Sequence, residues 1–178
     1  MDWTEITLEC LLRHDVRLVS YVPDGALARL IDGFTTHPDT HCFTATREDE
    51  AVAIACGSAM GGVRSVTLMQ SSGFGNVANV LASLATPYQI PVLMIITERG
   101  ILGEFNPVQT PITRVLRSTL DGLNIPHATL DDLNRVEFLV ERMASQCFST
   151  QHPAALIVSP ILTGGKTAPG SAPSTRAA

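Results

Sequence analysis

A three-layer αβα fold, built on a central and mostly parallel sheet of about six strands, is what this sequence predicts. Three observations point to it. Short apolar runs recur along the chain, each separated from the next by a segment whose apolar residues fall at helical spacing. The runs are continuous instead of alternating, the pattern of strands buried on both faces of a parallel sheet. Turn residues (Pro, Gly, Asp, Ser) punctuate the junctions.

The elements follow in order. Residues 3–13 carry Ile6, Leu8, Leu11 and Leu12 on roughly one helical face. Residues 16–22 read as a short buried strand ending at Pro23-Asp24-Gly25. A helix with Leu27, Leu30 and Ile31 follows, and Gly33 is expected to end it. Residues 41–45 form a second strand, and 48–61 a helix stopped by Gly61-Gly62. The third strand is 65–70, followed by the glycine loop Ser71-Ser72-Gly73-Phe74-Gly75 and a helix through Leu84. Val92-Leu93-Met94-Ile95-Ile96, within residues 91–97, is the most strand-like run. A polar connection over 98–111 leads to a helix at 112–122, a fifth strand at 126–130, a helix at 134–149 and a last strand at 154–159. Right-handed crossovers then bring the loops at Pro23-Asp24, Arg47-Glu48, Ser71–Gly75 and residues 98–111 to one rim.

A chain of 178 residues suffices for one domain, expected over 1–163, with a full core and no disulfide staples. Residues 164–178, rich in Gly, Ala, Pro, Ser and Thr, are expected to be a disordered tail. The formal charge of −5, with no basic run, argues against a nucleic-acid surface. Cys10, Cys42, Cys56 and Cys147 are scattered without ligand spacing, so no metal site is expected among them. With no signal-peptide pattern and no apolar run of about 18 residues, the expectation is a cytoplasmic protein that does not enter the membrane.

Two constellations carry chemistry. Arg47-Glu48-Asp49-Glu50 stands at the mouth of a small-residue, apolar helix. Its acids complement the helix dipole, with Glu48 or Asp49 near the N-cap, or one of them meets a docked ligand where strand hands over to helix. Ser71–Gly75 with Asn76 is a glycine loop opening a helix, readable as a tight turn or as a ligand cradle. It is neither GxGxxG nor GxxxxGK[ST], and Gln-Ser-Ser-Gly is not the GxSxG of a hydrolase. Neither a nucleotide site nor a serine nucleophile is indicated.

The order Val22-Pro23-Asp24, then Arg47-Glu48 with Gly57 beyond it, then Gln70-Ser71-Ser72-Gly73-Phe74-Gly75-Asn76 resembles the pyrimidine-binding domain of thiamine-diphosphate enzymes. Leu68-Met69-Gln70-Ser71-Ser72-Gly73, Ile90-Pro91-Val92-Leu93-Met94 and Arg99-Gly100-Ile101-Leu102-Gly103-Glu104 are similar to the alpha subunits of sulfopyruvate decarboxylases and, next, to phosphonopyruvate decarboxylases. The resemblance covers nearly the whole chain before the tail. It implies the thiamine-diphosphate-binding fold and a catalytic Glu48 that hydrogen-bonds N1′ of the cofactor's aminopyrimidine, activating it for attack on a 2-oxo acid. It further implies a cofactor site formed by Pro23, Asp24, Glu48, Gln70, Ser72, Gly73, Phe74 and Asn76.

The same resemblance implies a magnesium ion and a diphosphate held by Gly-Asp-Gly and a later Asn-Asn. Neither motif occurs here, so the Mg²⁺ ligands are expected on a partner beta subunit, in an α2β2 assembly or a multiple of it. The expected substrate is a small anionic 2-oxo acid, sulfopyruvate or phosphonopyruvate, met by Arg99, Gln109 and Arg114, with Arg117 also flanking the loop as a candidate cation. The paired histidines of pyruvate decarboxylases are missing from the loop, and Pro23 is followed directly by Asp24, which leaves the part played by Asp24 open. Carboligation and a non-catalytic interaction protein are the alternatives; retention of Glu48 argues against the second.

Overall fold

The computed structural model describes residues 1–165. In chain order the elements are α1 (Trp3–Arg13), β1 (Val16–Tyr21), α2 (Ala28–Thr36), β2 (His41–Thr44), α3 (Glu48–Met60), β3 (Arg64–Gln70), α4 (Ala78–Val80), β4 (Leu93–Thr97), α5 (Thr110–Gly122), β5 (His127–Leu130), α6 (Leu133–Thr150), β6 (Ala154–Val158) and α7 (Pro160–Thr163). The strands form one six-stranded sheet in the order β2-β1-β3-β4-β6-β5. Every pairing is parallel, so the expected mostly parallel sheet is wholly parallel.

The three layers follow from the two faces of the strands. Val19, Leu68, Leu93 and Leu156 point to one face and pack with Leu11, Leu30, Phe34 and Val140 from α1, α2 and α6. Met69, Met94, Ile96 and Ile157 point to the other, under Val52 and Cys56 of α3, Phe74 and Leu81, and Leu116 and Leu120 of α5. The central strands β4 and β6 are buried at every position, whereas the edge strand β2 is largely exposed.

Three local expectations change. Gly33 does not end a helix; α2 continues to Thr36, and a Cβ at Gly33 would stand 2.8 Å from Leu8 Cδ2, so the glycine lets α2 approach α1. The segment after β3 is not a regular helix but a tight 3₁₀ stretch (Ser71–Val77), the single turn of α4 and a widened π turn (Leu81–Ala85). The short α7, capped by the Ser159 side chain, follows β6 where the sequence had predicted only a strand end. Of the tail expected to be disordered, residues 166–178 lie outside the described residues.

One buried polar contact sets the position of α3 over the sheet. Ser20 Oγ on β1, fully buried, donates to the Ala51 carbonyl in the first turn of α3 at 2.8 Å and lies 3.1 Å from Thr67 Oγ1 on β3. Replacing Ser20 with alanine is expected to lower stability by about 1 kcal/mol, read as a shift in the urea midpoint at unchanged slope.

Candidate active site

The chain leaves β1 toward β2 on one side and returns to β3 on the other, so the strand order reverses between β1 and β3. Ligand crevices in such sheets form at the carboxyl ends of the strands flanking that reversal. Here the crevice is spanned by Asp24, just beyond β1, and Gln70, the last residue of β3. Gln70 Nε2 donates to Asp24 Oδ1 at 2.8 Å. Thr97, the last residue of β4, donates from Oγ1 to Asp24 Oδ2 at 2.6 Å. Asp24 is only 9% exposed, and these donors meet both its oxygens. Gln70 turns its other end outward, where Oε1 accepts from Ser72 Oγ at 2.5 Å.

Glu48 opens α3, with Arg47 as the extended N-cap residue. The three acids there have separate hydrogen-bond partners. Asp49 pairs with Arg47 at 3.0 Å, and that hydrogen bond holds its carboxyl below the usual range. Glu50 accepts the Thr46 N–H at 2.7 Å. Glu48 serves neither purpose: its Oε2 accepts from Asn76 Nδ2 at 3.2 Å, and its carboxylate lies against the bare Cα of Gly73. A Cβ at Gly73 would overlap that carboxylate, so glycine is required there by close approach. Ser71 and Phe74 are fully buried and anchor the turn, which leaves Ser72, Gly73 and Asn76 on the rim. The Phe74 ring is therefore part of the core, and any contact it makes with a ligand is through its backbone. Pro23 is exposed beside Asp24.

The loop after β4 is held by two ion pairs, Arg99–Glu104 largely buried and Glu98 buried against a partly exposed Arg117. Glu98, 3% exposed, takes a bidentate contact from Arg117 at 3.1 and 2.9 Å, and Arg117 also donates to Thr129 Oγ1 at 3.2 Å. Arg99 forks onto Glu104 with both contacts at 2.6 Å. Glu104 accepts two further bonds, from the Gly100 N–H at 3.1 Å and the Asn106 N–H at 3.0 Å. The Arg99 hydrogen bond, helped by these amides, holds the Glu104 carboxyl down to about 2. The Arg99 N–H donates to Ser71 Oγ at 2.9 Å, tying this loop to the glycine turn. Gly100 adopts φ +86°, and a side chain there would overlap the Gln109 carbonyl.

Of the three residues predicted to meet substrate, Arg99 is thus already committed to Glu104. Gln109 stands at the start of α5 with its Oε1 buried and unpartnered among the described residues, and Arg114 is exposed on α5. A cleft of about 310 Å³ is lined by Asp24, Thr97, Arg99 and Glu104 and by Pro160 and Thr163, with neither Gln109 nor Arg114 in its wall. Sequence reasoning missed the parts played by Thr97, Glu98 and Ser71, and it took Arg117 for a candidate substrate cation where the structure pairs it with Glu98. The alternation of charge in Glu98-Arg99 ahead of Glu104 was the available signal. Among the described residues no His, Cys, Asp and Glu cluster has the makings of a metal site, and no helix is long and apolar enough to cross a membrane.

The sequence matches the family described as thiamine pyrophosphate enzyme, N-terminal TPP binding domain, over residues 1–107. It is 33% identical over 143 residues to the sulfopyruvate decarboxylase subunit alpha of Methanocaldococcus jannaschii, covering 80% of this chain and 85% of that subunit. It is 42% identical over 118 residues to the phosphonopyruvate decarboxylase of Streptomyces viridochromogenes, but there the match spans 66% of this chain and only 30% of the enzyme. Among solved structures, a 2-oxoglutarate:ferredoxin oxidoreductase from Magnetococcus marinus aligns with a TM-score of 0.72 over 92% of this chain and 29% of its own, at 13% identity. At that identity the likeness is one of fold.

The Glu104 fork makes a pH prediction. Its depressed pKa means that the pair contributes its full stability above the ordinary carboxylate value near 4.5 and loses it as pH falls through about 2. Amide exchange at Gly100 and Asn106 is expected to accelerate across that window. Glu104→Gln should remove the pH dependence at both amides and cost about 3 kcal/mol, because it strands a largely buried Arg99.

Proposed function

This chain belongs to the thiamine pyrophosphate enzymes, through their N-terminal TPP binding domain, and from that premise we propose that it is the alpha subunit of a heteromeric 2-oxo acid decarboxylase. The observation that carries the reading is Glu48: a carboxylate at the open rim, held by Asn76 and seated on a glycine that no other residue could replace. The donor set fits an aminopyrimidine. An ionised carboxylate only accepts, and the heterocycle offers a ring nitrogen able to share a proton with it. Thiamine diphosphate, when bound, supplies the nucleophile and the electron sink for loss of carbon dioxide. Glu48 holds the shared proton at that nitrogen, Asn76 fixes the carboxylate's orientation, and Gly73 gives it room.

The substrate reading is a short anionic 2-oxo acid, sulfopyruvate or phosphonopyruvate, with an aldehyde and carbon dioxide as products. Relatives of both descriptions support it. Arg114 is the exposed cation on α5 suited to the anionic end. Gln109, at the start of α5, has only its side-chain N–H₂ to offer an anionic substrate, and Arg99 joins only by releasing Glu104. Neither Gly-Asp-Gly nor Asn-Asn occurs in these 178 residues, and the Methanocaldococcus relative is named a subunit. Both facts support a beta subunit that brings the diphosphate and Mg²⁺ side to the rim, in an α2β2 complex or a multiple of it.

The test is co-expression with a partner carrying those motifs, followed by assays of carbon dioxide release from sulfopyruvate and phosphonopyruvate. Activity in the complex and none in this chain alone is the expected result; decarboxylation by this chain alone would sink the heteromeric reading. In the active complex Glu48→Gln should lower kcat on the order of 10²–10⁴-fold with an unchanged far-ultraviolet spectrum.

A further inference from the structure

Buried hydroxyls are rare in this sheet, and most of them gather in one place. Of those on strands among the described residues, Ser20 on β1 and Ser65 and Thr67 on β3 lie beneath α3, and only Thr97 stands elsewhere. Two of the three donate to carbonyls on one stripe of α3, a turn apart: Ser20 to Ala51 at 2.8 Å and Ser65 to Ala55 at 3.4 Å. A carbonyl only accepts, so the single Ser20 proton is committed to Ala51. Thr67 Oγ1, 3.1 Å away, is then the donor to Ser20 Oγ. A buried hydroxyl without a partner is costly, and all three here are used.

The packing of α3 shows what these bonds add. The helix buries Ala51, Val52, Ala55 and Cys56, all small. Side chains this short make shallow ridges, so apolar contact fixes the height of α3 over the sheet better than its position along its own axis. Directional bonds to backbone carbonyls supply that second constraint. Glu48 stands in the same turn as Ala51, and its carboxylate has no slack. A Cβ at Gly73 would overlap it on one side, and Asn76 Nδ2 meets Oε2 at 3.2 Å on the other. Sliding α3 one way drives the carboxylate into the glycine turn; sliding it the other way parts it from Asn76.

We infer that Ser20 is a positioning residue: its hydroxyl, oriented by Thr67, sets α3 along its axis and so holds the Glu48 carboxylate between Gly73 and Asn76. Fully buried beneath the helix, Ser20 is out of reach of any ligand. Its one path to the chemistry runs through the backbone of α3. The inference rests on the part proposed for Glu48 above and extends it from the rim into the sheet.

The first test needs no cofactor. In the full chain the Asn76 side-chain N–H₂ resonance reports the bond to Glu48, and Glu48→Ala gives its position with that bond gone. Ser20→Ala is expected to move the resonance most of the way there. Val140→Ala, a core truncation on the opposite face of the sheet, should lower stability at least as much and leave the resonance in place. In the complex with the partner subunit, Ser20→Ala should lower kcat about 10-fold at unchanged KM, because a catalytic group is misplaced and no substrate contact is lost. In the Glu48→Gln background the same substitution should have no further effect on kcat. An unmoved Asn76 resonance, an equal shift in Val140→Ala, or an undiminished loss of kcat in the Glu48→Gln background would each overturn the inference. A parent complex without decarboxylase activity would instead overturn the decarboxylase reading, and the Asn76 resonance would still decide what holds Glu48, so the two failures are distinguishable.

Discussion

The seat of the Glu48 carboxylate on the bare Cα of Gly73 is the constraint from which the rest of the rim follows. It couples two segments that are far apart in sequence, the start of α3 and the turn after β3, at a separation that tolerates no side chain. Each must then be held to the sheet independently. Ser20 pins the first turn of α3 from below, and the turn after β3 is nailed down by the inward Ser71 and Phe74. With those two residues directed into the core, the intervening Ser72 and Gly73 have only the rim to face. The tight 3₁₀ pitch of this turn brings them to the carboxylate over a shorter span than a regular loop would need.

Behind that contact the rim is a set of buried polar groups, and their satisfaction decides how rigid it is. Asp24, Glu98 and Glu104 would each cost several kcal/mol if buried without partners. Asp24 is met by two neutral donors, from the ends of β3 and β4. The other two carboxylates have bidentate arginine partners. The Arg99 N–H to Ser71 links the two systems, so displacement of one loop is felt by the other. The rim loops are thereby held by donors with fixed geometry, and pre-organisation of this kind suits the proton-sharing role proposed for Glu48.

The fold was legible because its signals are long and repeated. Continuous apolar runs such as Val92-Leu93-Met94-Ile95-Ile96 admit little besides a doubly covered strand, and the observed β4 is buried throughout. Gly33 misled because a glycine late in a helical pattern has two physical meanings, a stop or a close approach, and only the position of Leu8 across the interface decides between them. Strand order brings the loops that carry most of the candidate residues to one end of the sheet, as expected. Their pairwise commitments were not readable: Arg99 and Glu104 stand near each other in sequence, but Arg117 reaches Glu98 only because α5 crosses back over the loop. The core placement of the Phe74 ring was equally hidden, since a glycine-flanked aromatic reads as a rim residue until the turn's pitch is known.

Those commitments bear on how this rim meets an anion. Arg99 and Arg117 are the arginines nearest the cleft by sequence position, yet each is engaged by a buried carboxylate through two bonds. Taking either for substrate would leave Glu104 or Glu98 buried and unpaired, a cost of about 3–5 kcal/mol that one surface ion pair with a ligand does not repay. The cleft wall that includes Asp24 and Glu104 is therefore no attractive bed for a doubly charged acid. On the proposed reading, an anionic substrate would be met farther out, at the exposed Arg114 on α5, with further cations from the proposed partner. The division is consistent with the role proposed for Glu48 as an acceptor toward the cofactor's ring nitrogen. On that reading, recognition of negative charge falls at the edge of this half of the site and on the proposed partner.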